Sequence, residues 1–243
     1  MTEFNIYKDI AERTNGDIYI GVVGPVRTGK STFIKQFMDK LVMPMLEDKY
    51  IKKRTKDELP QSSGGKMIMT TEPKFVPEEA IKLTFDDNAS FKVRMIDCVG
   101  YSVDGALGYK DENGIRMVST PWFNKEIPFQ KAAEIGTNKV IAEHSTIGLV
   151  VTTDGSFSEI PRENFIDAEE RVINELKNIG KPYIIALNST HPENETTINL
   201  AQKLSEKYDV PVIPIDCLHL SENDIYKILK KVLYEFPVKE IYI

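Results

Sequence analysis

The chain has 243 residues, of which 41% are hydrophobic and 28% are charged. This length and apolar content predict one α/β domain, residues 1–243, with a full hydrophobic core. The net charge of −6 argues against a broad nucleic-acid-binding surface, so no nucleic acid is expected as a partner. Cys98 and Cys217 each lie beside an apolar run, which is typical of buried thiols in a reducing compartment. The sequence opens without a signal-peptide pattern and holds no apolar run of membrane-spanning length, so we expect a cytoplasmic protein.

The phosphate-binding motif G-x-x-x-x-G-K-S runs from Gly24 to Ser31. The apolar run 18–23 before it suits a buried strand, and the pattern after it repeats at the spacing of an amphipathic helix. A strand, a glycine-rich loop and a helix in this order form the P-loop, whose backbone N–H groups and helix dipole bind phosphate. Lys30 is predicted to reach the β- and γ-phosphates, and Ser31 to place its hydroxyl on Mg²⁺.

Further motifs follow in the order typical of GTPase-type P-loop proteins. Thr70 and Thr71 stand between the first helix and the second strand, where such proteins carry a threonine that binds Mg²⁺ and senses the γ-phosphate. The alternative is that they only cap or start a strand, and the sequence does not choose between the two threonines. Asp97 ends an apolar strand and opens a D-x-x-G motif that Gly100 closes. The carboxylate is predicted to hold Mg²⁺ through a water molecule, and the glycine N–H to contact the γ-phosphate.

The candidate site residues fall into three overlapping sets. The predicted metal ligands are Ser31, Thr71 and Asp97. The predicted catalytic residues are Arg27, Lys30, Thr70, Thr71 and Asp97. The predicted nucleotide contacts are Gly24, Arg27, Thr28, Gly29, Lys30, Ser31, Thr32, Gly100 and Asn188.

The strand and helix patterns predict the fold class. A hairpin over residues 80–96, followed by repeated strand–helix units, predicts a P-loop NTPase with a mostly parallel sheet flanked by helices and GTPase-like topology, with one antiparallel hairpin strand. The prolines in 210–215 favour a strand near the edge of the sheet, and the run that begins at Ser221 has a capping-box pattern. We expect two long irregular segments, residues 47–79 and residues 101–130. The basic cluster in the first of them is expected to be solvated.

Three stretches carry a closer resemblance. They are R-T-G-K-S-T-F-I-K at 27–35, L-P-Q-S-S-G-G at 59–65 and V-T-T-D-G at 151–155. The motif order is similar to the translation-factor-related GTPase class, and these stretches resemble the stage IV sporulation protein A family, the ATP-hydrolysing scaffolds of the bacterial spore coat. The resemblance covers essentially the whole chain.

The resemblance implies an ATPase domain that uses ATP and Mg²⁺, with Lys30 on phosphate, Thr70 and Thr71 as sensors and Asp97 as the Walker B carboxylate. It also implies self-association into a polymer that needs C-terminal regions absent from this chain, because family members are considerably longer; the chain is thus expected to be an N-terminal ATPase domain. The implied partners are spore coat proteins and a small membrane-bound amphipathic peptide. The implied location is cytoplasmic and peripheral, on the mother-cell side of the forespore outer membrane.

The chain departs from the GTPase pattern where the base is read. The strand that normally ends in Asn-Lys-x-Asp ends here in Asn-Ser-Thr-His, residues 188–191. His191 replaces the carboxylate that accepts hydrogen bonds from guanine, and this loss argues for adenine. Asn188 is left either as a base contact or as a turn residue.

A second departure concerns the groups that assist hydrolysis. Tyr101 follows the switch glycine, where GTPases often place a water-orienting glutamine or histidine, and none occurs nearby. His144 is a candidate by residue type only, and a structural role is favoured. Arg27 lies inside the P-loop and is predicted to act in cis on the phosphates, with Val26 crowding the slot that an outside arginine would enter. The alternative is that Arg27 points to solvent or pairs with an acidic residue.

Three functions are open from the residues alone. The first is an ATPase whose cycle controls assembly of a protein scaffold. The second is a GTPase switch of the translation-factor-related class, which the motif order supports and residues 189–191 weaken. The third is a binding module that holds nucleotide without hydrolysing it.

Overall fold

The computed structural model describes residues 17–60, 72–84, 90–111 and 114–235. In chain order its strands are β1 (Asp17–Val23), β2 (Lys74–Thr84), β3 (Ser90–Asp97), β4 (Lys110–Asp111), β5 (Gly114–Ile115), β6 (Met117–Thr120), β7 (Phe123–Pro128), β8 (Ile147–Thr153), β9 (Tyr183–Asn188) and β10 (Val212–Ile215). Six of them form one sheet in the order β10-β9-β8-β1-β3-β2. Every neighbouring pair in that sheet is parallel except β2 and β3. The predicted fold class, a mostly parallel GTPase-like sheet with one antiparallel hairpin strand, is confirmed.

Helices cover both faces of the sheet. The longer ones are α1 (Lys30–Phe37), α2 (Lys49–Glu58), α3 (Phe129–Lys139), α4 (Ile166–Asn178), α5 (Glu195–Tyr208) and α6 (Glu222–Tyr234). The first and third helices each continue into a π-helical turn, Met38–Val42 and Val140–His144. A 3₁₀ turn, Arg162–Phe165, leads into α4. None of the helices within the described ranges combines the length and the apolar character needed to cross a lipid bilayer.

Two hydrophobic cores result, one on each face. Phe33 of α1 and Leu229 of α6 pack on the face that carries Ile20 of β1. The other face carries Val150 of β8 and packs against α4, α5 and the π-helical turn after α3. β8 and β9 are buried along their whole length, which explains their continuous apolar sequences.

The register of the sheet brings the predicted motifs to one edge. Val22 of β1 pairs with Asp97 at the end of β3, and Thr153 at the end of β8 pairs with Asn188 at the end of β9. Because these strands are parallel, their carboxyl ends meet at the edge where the P-loop leaves β1, which is where ligands bind in such sheets.

Two sequence expectations at the end of the chain are confirmed. The proline-containing strand β10 lies at the edge of the sheet, beside β9. At the start of α6, the amide of Asp224 donates to Ser221 Oγ at 3.2 Å, and the amide of Ser221 donates to Asp224 Oδ2 at 3.1 Å. This reciprocal pair is the predicted capping box, with aspartate in the position that glutamate or glutamine usually takes.

The expectation of an irregular segment over 47–79 is wrong in part. Lys49–Glu58 is a helix, and Asp48 caps it by accepting from the amides of Tyr50 at 2.7 Å and Ile51 at 3.1 Å. The sequence conceals this helix because Thr55 is its only buried residue, so it lacks an apolar stripe. The basic cluster lies on this exposed helix, as the solvated interpretation predicted. β2 also begins earlier than expected, at Lys74.

The segment 101–130 is also more ordered than predicted. Two short antiparallel pairs, β4–β5 and β6–β7, lie between Asp97 and α3. Exposed apolar side chains stand on these strands, including Ile115, Met117 and Phe123. The sequences of these four short strands mix glycine, aromatic and polar residues. They show no apolar–polar alternation from which the strand pairing could be predicted.

Candidate nucleotide-binding site

The P-loop takes a shape that its glycines make possible. Gly29 caps α1 with φ 97°, and a β-carbon there would lie 2.4 Å from Asn188 Nδ2. Gly24 has φ 140°, and a β-carbon there would lie 2.3 Å from the carbonyl oxygen of Val151. Both positions therefore exclude a side chain on conformational and steric grounds, and they leave the loop backbone free to approach an anion.

Lys30 begins α1 and is 4% exposed. Its ammonium donates to the carbonyl oxygens of Pro25 at 2.5 Å and Gly24 at 3.4 Å, so the side chain folds back over the loop. Burial lowers the pKa of Lys30, and the nearby Cys98 and Asp97 oppose that shift. The cation is thus held inside the P-loop, where an incoming phosphate would relieve its desolvation.

Ser31 and Asp97 meet beside this lysine. Ser31 Oγ donates to Asp97 Oδ2 at 2.6 Å, while Asp97 Oδ1 is buried and has no hydrogen-bond partner among the residues that the structure describes. Burial raises the pKa of Asp97, against the hydrogen bond from Ser31 and the charge of Lys30. A buried carboxylate oxygen that lacks a partner is a group that a cation would satisfy.

This pair fits Mg²⁺, a hard cation that takes oxygen ligands. Mg²⁺ sites of nucleotide-binding proteins use one or two protein oxygens together with phosphate and water. They do not need a cluster of three side chains, and within the described ranges no group of three or more His, Cys, Asp or Glu side chains is arranged to hold a metal. Ser31 Oγ and Asp97 would supply the protein ligands. The third predicted ligand, Thr71, and its neighbour Thr70 lie outside the described residues.

Asn188 braces the P-loop from the end of β9. Its Nδ2 donates to the carbonyl oxygen of Thr28 at 3.0 Å, and its Oδ1 accepts from the amide of Cys217 at 2.9 Å. Thr28 is fully buried and donates its hydroxyl to the carbonyl oxygen of Pro25 at 3.0 Å. Bracing the P-loop is a role that the sequence did not suggest for Asn188, and the base contact stays a prediction. Thr32 lies half-buried in the first turn of α1.

The D-x-x-G segment lies directly against the P-loop. The amide of Tyr101 donates to the carbonyl oxygen of Gly24 at 3.3 Å, and the amide of Val26 donates to the carbonyl oxygen of Tyr101 at 2.9 Å. Gly100 has φ 94°, and a β-carbon there would lie 2.7 Å from Lys30 Nζ. The switch glycine is therefore packed beside the lysine that is predicted to bind phosphate.

Tyr101 turns its side chain toward α4. Its hydroxyl donates to Glu175, and the guanidinium carbon of Arg171 lies 4.2 Å from the centre of its ring. Burial raises the pKa of Tyr101, with Glu175 adding to the shift. This side chain does not supply a water-positioning group. His144 packs its ring edge-on against Phe75 at 5.4 Å, in keeping with the structural role favoured for it.

Arg27 lies in the middle of the P-loop and has φ 64°, a backbone conformation that is uncommon for a residue with a β-carbon. It is half-buried. Burial and the charge of Glu134 raise the pKa of Tyr109, and the charge of Arg27 opposes that rise. A cis role for Arg27 on the phosphates stays a prediction.

Residues 188–191 stand where GTPases carry the base-reading motif, and the backbone amides of the last two are hydrogen-bonded to serine hydroxyls. The amide of His191 donates to Ser189 Oγ at 3.0 Å, and the amide of Thr190 donates to Ser156 Oγ at 2.9 Å. His191 is exposed. In the neighbouring loop, Asp216 Oδ1 accepts from the amides of Leu218 at 2.8 Å and His219 at 3.2 Å. That carboxylate is therefore committed to its own loop.

The structure brings most of the predicted site together. Gly24, residues 27–32, Asp97, Gly100 and Asn188 surround the carboxyl ends of β1, β3 and β9. It also adds Thr137 of α3, whose hydroxyl accepts from the amide of Gly100 at 3.2 Å. A lone threonine inside a helix, outside any motif, gives no signal in the sequence. Cys98 and Cys217 are both buried and unpaired, as expected.

Comparisons with known proteins agree on one family. Residues 1–237 match the family model described as stage IV sporulation protein A, ATPase domain. The chain is 57% identical over 241 residues to stage IV sporulation protein A of Bacillus anthracis, covering 99% of this chain and 49% of that protein. It is 56% identical over 241 residues to the Bacillus subtilis (strain 168) protein of that name, with the same coverage. For the Clostridioides difficile (strain 630) protein, the identity is 56% over 237 residues, covering 98% and 48%.

The chain thus spans about half the length of the curated relatives that it matches. Among solved structures, two variants of SsGBP are similar at 18% and 17% identity, with TM-scores of 0.46 and 0.47. These matches cover 93% and 94% of this chain and 59% and 60% of those chains.

Proposed function

This chain belongs to the stage IV sporulation protein A family, whose ATPase domain it matches, and on that premise we propose that it binds ATP with Mg²⁺ at the P-loop and hydrolyses it to ADP and phosphate. The observation that carries the proposal is the part-buried hydrogen bond between Ser31 and Asp97 beside Lys30. It joins a hydroxyl, a carboxylate and a cation at the carboxyl edge of the sheet. These are the groups that phosphoryl transfer by P-loop proteins requires.

The P-loop residues bind and orient the phosphates. The amides of the loop and of the first turn of α1 point toward the anion, and Lys30 turns from the carbonyl oxygen of Pro25 to the β- and γ-phosphates. Among the described residues, its hydrogen bonds go to backbone carbonyl oxygens and no carboxylate forms a salt bridge with it. The cation is therefore available at little cost when a phosphate arrives.

Ser31 and Asp97 would hold the metal. The Ser31 hydroxyl would bind it directly, and Asp97 would hold it through its unpartnered oxygen or an intervening water. When bound, Mg²⁺ neutralises charge that develops on the β- and γ-phosphate oxygens. Asp97 also fixes the position of the Ser31 hydroxyl, because the two groups are hydrogen-bonded.

Adenine is the proposed base. Guanine recognition in GTPases depends on a carboxylate at the position that His191 occupies here. The nearby Asp216 is engaged by the amides of its own loop and by His219, so it is not free to replace that carboxylate. Without this carboxylate, guanine loses the acceptor for its ring N–H and amino group. Adenine does not present that pair of donors, so its binding is not weakened.

The wider role rests on the family. We propose that the ATP cycle drives conformational change and self-assembly of a spore coat scaffold on the forespore surface. Self-association into a polymer would need regions of the relatives that lie outside the half that this chain spans. Spore coat proteins and a small membrane-bound amphipathic peptide are the proposed partners.

Nucleotide titration followed by phosphate release tests the proposed activity. Mg-ATP and Mg-GTP are titrated into the chain separately, and released phosphate and light scattering are then recorded together. We expect binding and turnover of ATP, and Lys30→Ala should abolish both. Lys35→Ala, a lysine later on α1, is the matched control and should behave as the parent does. Turnover of GTP in preference to ATP would instead support a GTPase switch, and binding without phosphate release would support a module that only holds nucleotide.

A further inference from the structure

The amide of the switch glycine is hydrogen-bonded to a protein side chain. The Gly100 N–H donates to Thr137 Oγ1 at 3.2 Å, and Thr137 is 0% exposed. The Thr137 hydroxyl donates its own hydrogen to the carbonyl oxygen of Ala133 at 2.9 Å, one turn earlier on α3. The oxygen therefore faces Gly100 as an acceptor only, and its orientation is fixed.

The position of Gly100 makes this bond consequential. A β-carbon on Gly100 would lie 2.2 Å from the carbonyl oxygen of Gly24 and 2.7 Å from Lys30 Nζ. The residue thus touches the P-loop on one side and α3 on the other. A buried amide needs an acceptor, and leaving it without one costs free energy. Thr137 supplies that acceptor.

We propose that Thr137 is a positioning residue that holds the Gly100 amide while the γ-phosphate is absent and releases it when ATP binds. A phosphate oxygen is charged, so it is a stronger acceptor than a hydroxyl and outcompetes Thr137 for the same N–H. ADP carries no γ-phosphate, so the Gly100–Thr137 bond persists in the ADP complex. Thr137 thereby lowers the affinity for ATP relative to ADP, because ATP must break a bond that ADP leaves intact.

This inference rests on the proposed function, since it assumes that ATP binds at the P-loop. It differs in what it predicts. Removing the acceptor strands the Gly100 amide in both the free protein and the ADP complex, while the ATP complex still satisfies it. The affinity for ADP is then unchanged, and the affinity for ATP rises.

The test compares Thr137→Val with Thr137→Ser. Valine keeps the shape and burial of the side chain and removes the acceptor, whereas serine keeps the hydroxyl. Dissociation constants for Mg-ADP and for a non-hydrolysable Mg-ATP analogue are measured by calorimetry on parent and variants. We expect Thr137→Val to raise the ratio of the ADP constant to the ATP-analogue constant by about fivefold or more, which corresponds to about 1 kcal/mol for a stranded buried amide. Thr137→Ser should keep the parent ratio.

A second readout is independent of nucleotide. Hydrogen exchange of the Gly100 amide, followed by NMR in the nucleotide-free protein, should be faster in Thr137→Val than in the parent or in Thr137→Ser. An unchanged affinity ratio in a folded Thr137→Val protein, or an equal shift in Thr137→Ser, overturns the inference alone. A parent chain that binds neither nucleotide overturns the proposed function as well, so the two failures are distinct.

Discussion

The hydroxyl of Ser31 donates a hydrogen bond of 2.6 Å to Oδ2 of Asp97, a residue 66 positions further along the chain. The bond joins the first turn of α1 to the carboxyl end of β3 across the parallel pair β1–β3. Within the described part of the chain, the other carboxylate oxygen is buried without a hydrogen-bond partner. Asp97 therefore has two opposing effects. It orders the site for a cation, and its buried charge lowers the free energy of unfolding when no cation is bound.

That opposition gives a prediction for Asp97→Asn. Burial raises the pKa of Asp97, so the ionised carboxylate lowers the free energy of unfolding at neutral pH. We expect the variant to raise the Tm of the nucleotide-free protein by about 2–4 °C, equivalent to about 1 kcal/mol, and to lose the further rise that Mg-ATP gives the parent. Scanning calorimetry with and without Mg-ATP measures both effects.

The pH dependence follows from the same shift. A carboxyl group whose folded-state pKa is raised adds stability below its unfolded pKa and loses it as pH rises through the folded value. The Tm difference between Asp97→Asn and the parent should therefore shrink as the pH is lowered toward 4, the unfolded pKa region of aspartate. Asp104→Asn, at an exposed aspartate, is the control and should show no difference. A nucleotide-free Asp97→Asn protein less stable than the parent would contradict this account.

The paired threonines are tested by changing Thr70 and Thr71 to alanine together. A sensor of the γ-phosphate contributes little to ADP binding, so ADP affinity should stay within about twofold of the parent, while the ATP-induced conformational change is lost. Trp122, the single tryptophan of the chain, lies between β6 and β7 and provides a fluorescence signal for that change. The control changes Ser62 and Ser63, two hydroxyls of the same stretch with no predicted phosphate contact. Normal hydrolysis and a normal fluorescence response in the threonine variant would refute the sensor assignment.

Base preference is the third prediction. We expect Mg-ATP to bind at least about tenfold more tightly than Mg-GTP, or roughly 1.4 kcal/mol. His191→Asp restores a carboxylate at the guanine-reading position and should move the ratio toward GTP, whereas His191→Asn changes the ring without adding charge and should not. Competition titrations against a fluorescent nucleotide give the ratios. Equal ATP and GTP affinities in the parent would defeat the argument from His191.

Short sequence motifs were predictable, whereas features that depend on tertiary contacts were not. The P-loop, the hairpin, the edge strand and the capping box at Ser221 were predictable because each rests on a short-range pattern. The helix over Lys49–Glu58 was not, because its surroundings bury almost none of it and its stability comes from the Asp48 cap and local propensity. Thr137 and the bracing contacts of Asn188 were not predictable either, because they depend on which elements the fold brings together.

The fourth prediction concerns the buried ion pair between Glu169 of α4 and Arg162. We expect its loss to lower the free energy of unfolding more than the loss of an exposed ion pair does. Glu169 is 0% exposed and accepts from Arg162 at 2.8 Å and from the Tyr208 hydroxyl at 2.7 Å. Glu169→Ala leaves the largely buried guanidinium unpaired, so we expect a loss of about 3–5 kcal/mol in the free energy of unfolding, measured by urea denaturation. Combining Glu169→Leu with Arg162→Met should recover much of that loss.

The adjacent residue provides the control for this pair. Glu170 accepts from Lys207 at 2.6 Å, but both side chains are more than a third exposed. Solvent screens such a pair, so Glu170→Ala should cost less than about 1 kcal/mol. Similar losses for Glu169→Ala and Glu170→Ala would show that burial of the ion pair is not what decides its contribution.

The last prediction concerns Arg27. A positive φ at a residue with a β-carbon is strained, and such strain persists where the surrounding structure imposes it. Here Val26 is 1% exposed and its amide is bound to Tyr101, so the slot next to Arg27 is filled. An arginine from another molecule would have little room to enter there. A guanidinium already on the crest of the loop can instead neutralise charge that develops on the phosphate oxygens.

We therefore expect Arg27→Ala to bind ATP nearly as the parent does but to hydrolyse it more slowly, with a barrier higher by about 1–3 kcal/mol, or about 5- to 150-fold in rate. Single-turnover hydrolysis, measured in sodium and in potassium buffers, separates this step from binding and product release. If the cation is supplied in cis, the parent needs no potassium, because the guanidinium already occupies the charge-neutralising position. Lys35→Ala, at a basic residue of α1 away from the loop, should leave the rate unchanged. Equal rates for Arg27→Ala and the parent, or a parent that hydrolyses ATP only in potassium, would show that Arg27 serves the loop's structure alone.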